Sequence, residues 1–123
     1  MNRLLITLVL LFSIGLSRKT VVKLATLAPE GTEWHGMLIE MGQEWKKKSK
    51  KSVNLRVYPG GVIGDERDMV RKMRIGQIHA AAITTEGLSE IVPDFSAYYV
   101  PLAFQNSEDV LSVTEALLPS LEK

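Results

Sequence analysis

The chain contains no cysteine, which removes disulfide frameworks, thiolate metal sites, thiol nucleophiles and an N-terminal cysteine for lipid attachment. Histidine is almost as scarce. His35 and His79 each stand without a second histidine at ligand spacing, so no metal centre is expected. The glycine-rich stretch Pro59-Gly60-Gly61-Val62-Ile63-Gly64 lacks a Gly-Lys-Ser or Gly-Lys-Thr ending, and Asp65 and Glu66 directly after it would repel a phosphate. It reads as a turn. A Gly-x-Ser-x-Gly elbow of the serine-hydrolase kind is also missing. Excess charge of one sign is missing too: 15 basic residues stand against 14 acidic ones, a balance that argues against nucleic acid as a partner.

What is present suits one ordinary globular domain: 123 residues, 46% hydrophobic and 24% charged. Part of the apolar content is not core. Arg3 is followed by the run Leu4 to Phe12 and then by small residues, the layout of a secretory signal peptide over residues 1–17. A bilayer-spanning anchor is the alternative, but it needs about 20 apolar residues and this run is shorter. Gly15 and Ser17 fill the small positions before a cut, so the mature chain is expected to begin at Arg18 and to be released outside the cytoplasm. Losing Arg3 with the leader makes basic and acidic residues equal in number.

From Lys19 to Thr26 the chain is rich in β-branched and apolar residues and ends before Pro29-Glu30-Gly31, which reads as a first strand and a turn. Trp34, Met37, Leu38, Met41 and Trp45 then recur at three-to-four spacing, predicting a helix with Thr32 as N-cap, Glu33 in its first turn and lysines in its last. The run Lys46, Lys47, Lys48, Lys50, Lys51 reads as a solvated helix end whose cations complement the dipole, rather than as a polyanion site. Val53 to Tyr58 alternates with period two and predicts a second strand. Asp65 is placed to cap a helix carrying Met69, Val70 and Met73, which Gly76 ends. Ile78 to Thr84 reads as a third strand covered on both faces, although periodicity alone also permits a buried helix. A short helix over Glu86 to Ile91, a brief fourth strand at Tyr98-Tyr99-Val100 and a last helix over Glu108 to Leu118, capped by Asn106 or Ser107, complete the reading.

Strand, helix, strand, helix, strand implies right-handed crossovers, hence an α/β fold with a parallel-type sheet flanked by helices. Ligands of such sheets collect outside the carboxyl ends of the strands. That rule selects Thr26 to Trp34 after the first strand and Thr84, Thr85 and Glu86 after the third. Hydroxyls and helix-start amides donate to a carboxylate, and an indole walls off an apolar part of a ligand. Each residue also has a structural role open to it: Thr26 can simply finish the strand, Trp34 can continue the apolar stripe shared with Trp45, and Glu86 can complement a helix dipole.

Three motifs in order, Lys23-Leu24-Ala25-Thr26-Leu27-Ala28-Pro29-Glu30-Gly31-Thr32, Val57-Tyr58-Pro59-Gly60-Gly61-Val62-Ile63-Gly64-Asp65-Glu66-Arg67 and Glu86-Gly87-Leu88-Ser89-Glu90-Ile91-Val92-Pro93, resemble the solute-binding proteins of TRAP transporters, dicarboxylate-binding type. The resemblance runs over roughly 21–121. It implies the first lobe of a type II periplasmic-binding-protein fold, a small organic acid as ligand, TRAP-type membrane permease subunits as partners, periplasmic location and no cofactor. Residues 18–123 would then be the N-terminal α/β ligand-binding lobe, incomplete because such proteins are more than twice as long and carry their main carboxylate-pairing arginine in the second lobe. Carried over residue by residue, Thr26, Trp34, Thr84, Thr85 and Glu86 are the ligand-binding candidates, and Gly64 to Asp68 is an architectural marker. Tyr99 to Phe104 is similar to the family's cleft-lining segment, with Leu102 where an aromatic is common. The competing reading is a small secreted α/β enzyme acting on a carboxylate or sugar, in which Glu86 or His35 would serve as acid or base.

Overall fold

The computed structural model describes residues 19–121. The signal segment expected over residues 1–17 lies outside them. Three strands, β1 (Thr20–Thr26), β2 (Val53–Tyr58) and β3 (Ala80–Ala82), form one parallel sheet in the order β2-β1-β3. Thr20 is in register with Val53 and Ala25 with Tyr58, while Leu24 to Thr26 face Ala80 to Ala82. The helices α1 (Glu33–Lys48), α2 (Glu66–Arg74), α3 (Thr85–Ser89) and α4 (Ser107–Leu121) follow in chain order, with a 3-10 helix at Pro93–Tyr99 between the last two. The α/β class and the parallel sheet match the expectation from element order.

Helix starts follow the capping rules. Thr32 Oγ1 accepts the His35 amide at 3.4 Å, and Asp65 Oδ1 accepts the Asp68 amide at 2.8 Å. Asn106, of the two residues proposed for α4, is the cap: its Oδ1 takes the amides of Glu108 and Asp109. Gly64, just ahead of α2, has φ +114°, and a Cβ there would stand 2.6 Å from Asp68 Cβ. Gly64→Ala is therefore expected to cost about 1–3 kcal/mol of stability, read as a lowered urea midpoint with an unchanged slope.

The buried core is small. Leu24 and Ala25 of β1, Met69 and Val70 of α2, and Ile78 ahead of β3 are its buried apolar members, with Ile63, Met73, Ala81 and Ile83 packed around the Ala25–Met69–Ile78 centre. Helix α1 lies against β2 without a fully buried residue; Gly42 allows the approach, since a Cβ there would meet Leu55 Cβ at 3.0 Å.

The structure corrects one element. Tyr98-Tyr99-Val100 is no strand: Pro93 opens a 3-10 helix that runs to Tyr99. Residues three apart share a side of such a helix, so Phe95 and Tyr98 stack at 6.3 Å, Tyr98 stacks on Phe104 at 6.4 Å, and Tyr98 OH donates to Thr114 Oγ1 of α4. A strand would have put Phe95 and Tyr98 on opposite faces. The third strand is also shorter than the Ile78 to Thr84 expected, because Thr84 is diverted to cap α3.

Candidate functional site

All three strands run in one direction, so the loops after β1, β2 and β3 meet at one edge of the sheet. There the glycine turn folds back over the end of β1: Gly61 N–H donates to Thr26 O and Gly60 N–H to Ala28 O. Thr26 is only 4% exposed, and its Oγ1 accepts the Ala28 amide at 3.2 Å. Its side chain thus shapes the floor of this edge. Trp34 is 72% exposed at the start of α1. The spacing it shares with Trp45 does not bring it into the core, because α1 meets β2 through residues further along, around Gly42.

Thr84, Thr85 and Glu86 stand together at the start of α3, and the anchor that holds them there is Glu66. Its carboxylate, on a residue only 5% exposed, accepts the Thr84 amide (2.9 Å), the Thr84 hydroxyl (2.7 Å) and the Gly87 amide (2.8 Å). Thr84 Oγ1 accepts in turn from the Glu86 amide at 3.2 Å. Gly87 has to be glycine for this approach, since a Cβ would lie 2.8 Å from Glu66 Oε2 and 2.9 Å from Ile83 Cβ. Thr85 Oγ1 pairs with Tyr99 OH at 2.9 Å, and the same phenol lies 3.4 Å from Thr84 Oγ1. Glu66 is not among the ligand-binding candidates drawn from sequence, and Tyr99 enters there only as part of the Tyr99 to Phe104 stretch that is similar to the family's cleft-lining segment. Glu66 was read as part of an architectural marker, and no local signal shows that it reaches across 18 and 21 residues to its partners.

Charge is polarised along the strands. Glu30, Glu33, Asp65, Glu66, Asp68 and Glu86 sit at the edge where the helices begin, whereas Lys46, Lys47 and Lys48, and Arg71, Lys72 and Arg74, occupy the last turns of α1 and α2. The helix dipoles favour this segregation. The arginines of α2 are engaged locally: Arg67 Nε lies 3.0 Å from Glu90 Oε1, Arg71 bonds Asp68, and Arg74 donates to Glu90 O. Both histidines accept backbone N–H groups at Nδ1, His35 from Gly31 and His79 from Lys23. Among the described residues no group of three His, Cys, Asp or Glu side chains is arranged to hold a metal, and no helix is long and apolar enough to cross a membrane. Two open hollows of about 210 and 220 Å³ lie elsewhere, one between α1 and β2 at Leu38 and Leu55, the other beside Lys23, Lys72 and Ile78. Neither is lined by Thr84, Thr85 or Glu86.

The family model for bacterial extracellular solute-binding proteins, family 7, matches residues 24–121, which include every loop of this edge. The chain belongs to that family. A solute-binding protein of Roseobacter denitrificans is 27% identical over 96 residues, covering 78% of this chain and 29% of the relative. The same fold is seen in solved structures. A TRAP periplasmic solute-binding protein of Citrobacter koseri with bound D-glucuronate superposes with a TM-score of 0.60 at 24% identity, over 80% of this chain and 36% of that one. One from Sulfurospirillum deleyianum with bound succinate gives 0.63 at 13% identity, over 80% and 32%. This chain therefore spans about a third of the length of the relative and the solved structures it matches. The parallel three-stranded sheet flanked by helices matches these solved structures, as the resemblance implies, and Leu102, at the position where the resemblance implies an aromatic, stands 95% exposed.

Proposed function

We propose that this chain is the first ligand-binding lobe of an extracytoplasmic solute-binding protein, which captures a small organic acid and delivers it to the membrane subunits of a TRAP-type transporter without transforming it. The observation that carries the reading is the family 7 match running through the whole carboxyl edge of the sheet. Export across the inner membrane, with residues 1–17 removed as a signal peptide, fits that role and the leader-like sequence. Thr84, Thr85 and Glu86 supply the ligand-facing side chains of this lobe, Trp34 a wall, and Thr26 the floor. A solute held between this edge and a second lobe would favour the closed arrangement by its differential affinity for it.

Thermal melts of the 123-residue chain with a panel of mono- and dicarboxylates test this. At least one acid is expected to raise the melting temperature, by the equivalent of about 2.7 kcal/mol at roughly a hundredfold excess over Kd, and to be recovered unchanged. Consumption of the acid by the purified protein would favour the enzyme reading instead. A cooperative melt that no acid shifts would contradict ligand capture by this chain.

A further inference from the structure

We propose that the hollow between α2, β1 and the end of β2 is a binding site for a small tetrahedral oxyanion, of the phosphate or sulfate kind, separate from the carboxyl edge of the sheet.

That hollow, of about 220 Å³, is lined by Lys23, Tyr58, Ile63, Lys72, Gln77 and Ile78. It contains no residue of 27–34 or 84–86, and none of its lining residues is an acid. Lys23 and Lys72 are half-buried, and a cation withdrawn from water ordinarily has a carboxylate beside it. Here the ammonium groups meet backbone carbonyls instead: Lys23 Nζ donates to Gln77 O at 3.4 Å, and Lys72 Nζ to Ile63 O. An ammonium has three donors, so each keeps N–H groups beyond these bonds. The acids of α2 that precede Lys72 are held elsewhere, Asp68 by Arg71 and Glu66 by Thr84 and Gly87.

The sheet adds a third cation. Lys23 is in register with Arg56 on the neighbouring strand, and like charges side by side across two strands cost stability unless something neutralises them. Tyr58, two residues after Arg56, shares its face of the sheet, and the Arg56 guanidinium lies 5.2 Å from the centre of the Tyr58 ring. Among the described residues none of Lys23, Arg56 and Lys72 is within ion-pair distance of a carboxylate. The Tyr58 phenol and the Gln77 side-chain amide are further donors. Charge-assisted hydrogen bonds to an oxyanion are strong ones. A tetrahedral oxyanion presents acceptors to several sides, as donors drawn from β1, β2, α2 and the approach to β3 require.

Calorimetric titration of the 123-residue chain with sodium phosphate and with sodium sulfate, each against sodium chloride at equal ionic strength, tests the assignment. Saturable binding of at least one of the two oxyanions is expected, and none of chloride. Lys23→Met and Lys72→Met, which keep the apolar stem and remove the charge, should each weaken that binding about tenfold or more, as loss of a charge-assisted hydrogen bond does. Amide chemical shifts of the unaltered chain, titrated with the same anion, should move most at Tyr58, Ile63, Gln77 and Ile78, a readout that does not depend on the variants folding. Oxyanion binding no tighter than that of chloride overturns the site. Affinity unchanged in both folded variants, or shifts centred on Lys46 to Lys51 instead, overturns it as well.

Discussion

Glu66→Ala lowers the unfolding free energy of the chain by about 3 kcal/mol. The estimate rests on what the carboxylate holds: two backbone amides, those of Thr84 and Gly87, and the Thr84 hydroxyl, all at 2.7–2.9 Å from a nearly buried side chain. Truncation leaves the buried Gly87 amide without its acceptor, at about 1–3 kcal/mol, and takes the acceptor from the two part-buried Thr84 donors, which water replaces in part. Glu66→Gln should fall between the two, because its carbonyl keeps one donor while its NH2 meets another donor head-on. Urea denaturation followed by circular dichroism gives the order wild type, Gln, Ala in decreasing midpoint. An alanine variant as stable as wild type would mean that Glu66 is not the anchor of the α3 start.

Met69→Ala is the second large effect. Met69 is fully buried and sits with Ala25 and Ile78 at the centre of the core. Removing a buried methionine side chain costs about 2–5 kcal/mol, through lost transfer energy and the cavity left behind. Native domains of this kind are stable by only about 5–15 kcal/mol, and among the described residues few other side chains are fully buried. The variant is expected to lose a large share of its stability, with Met69→Leu losing about 1.5 kcal/mol or less because volume is kept. A matched loss in both variants would show that the site tolerates neither shape and that cavity formation is not the cause.

Local chemistry made most of the fold legible. The β-branched run of β1, the alternation of β2 and the caps Thr32, Asp65 and Asn106 act over a few residues, and the structure places them as the sequence suggests. Tyr98-Tyr99-Val100 misled because its β propensity is local, while the stacking of Phe95, Tyr98 and Phe104 and the bond to Thr114 that favour a 3-10 turn are tertiary. Trp34 shows the same limit: its spacing fits the α1 stripe, yet how far along the helix the sheet reaches decides that it stays exposed. At the candidate site, Thr84, Thr85 and Glu86 followed from strand order and the carboxyl-end rule. The Glu66 anchor did not, and Tyr99 entered only through the stretch that the resemblance implies lines the cleft; their bonds to Thr84, Thr85 and Gly87 span 14 to 21 residues and are joined by folding alone.

Solute capture at the carboxyl edge of the sheet is tested most directly by an amide chemical-shift titration of the isotope-labelled 123-residue chain with whichever carboxylate raises its melting temperature. Saturable shifts concentrated at Leu27 to Trp34, at Thr84 to Gly87 and around Tyr99 are the expected result. Shifts concentrated instead at the lysine-rich end of α1, from Lys46 to Ser52, would place binding at the opposite edge of the sheet and contradict it.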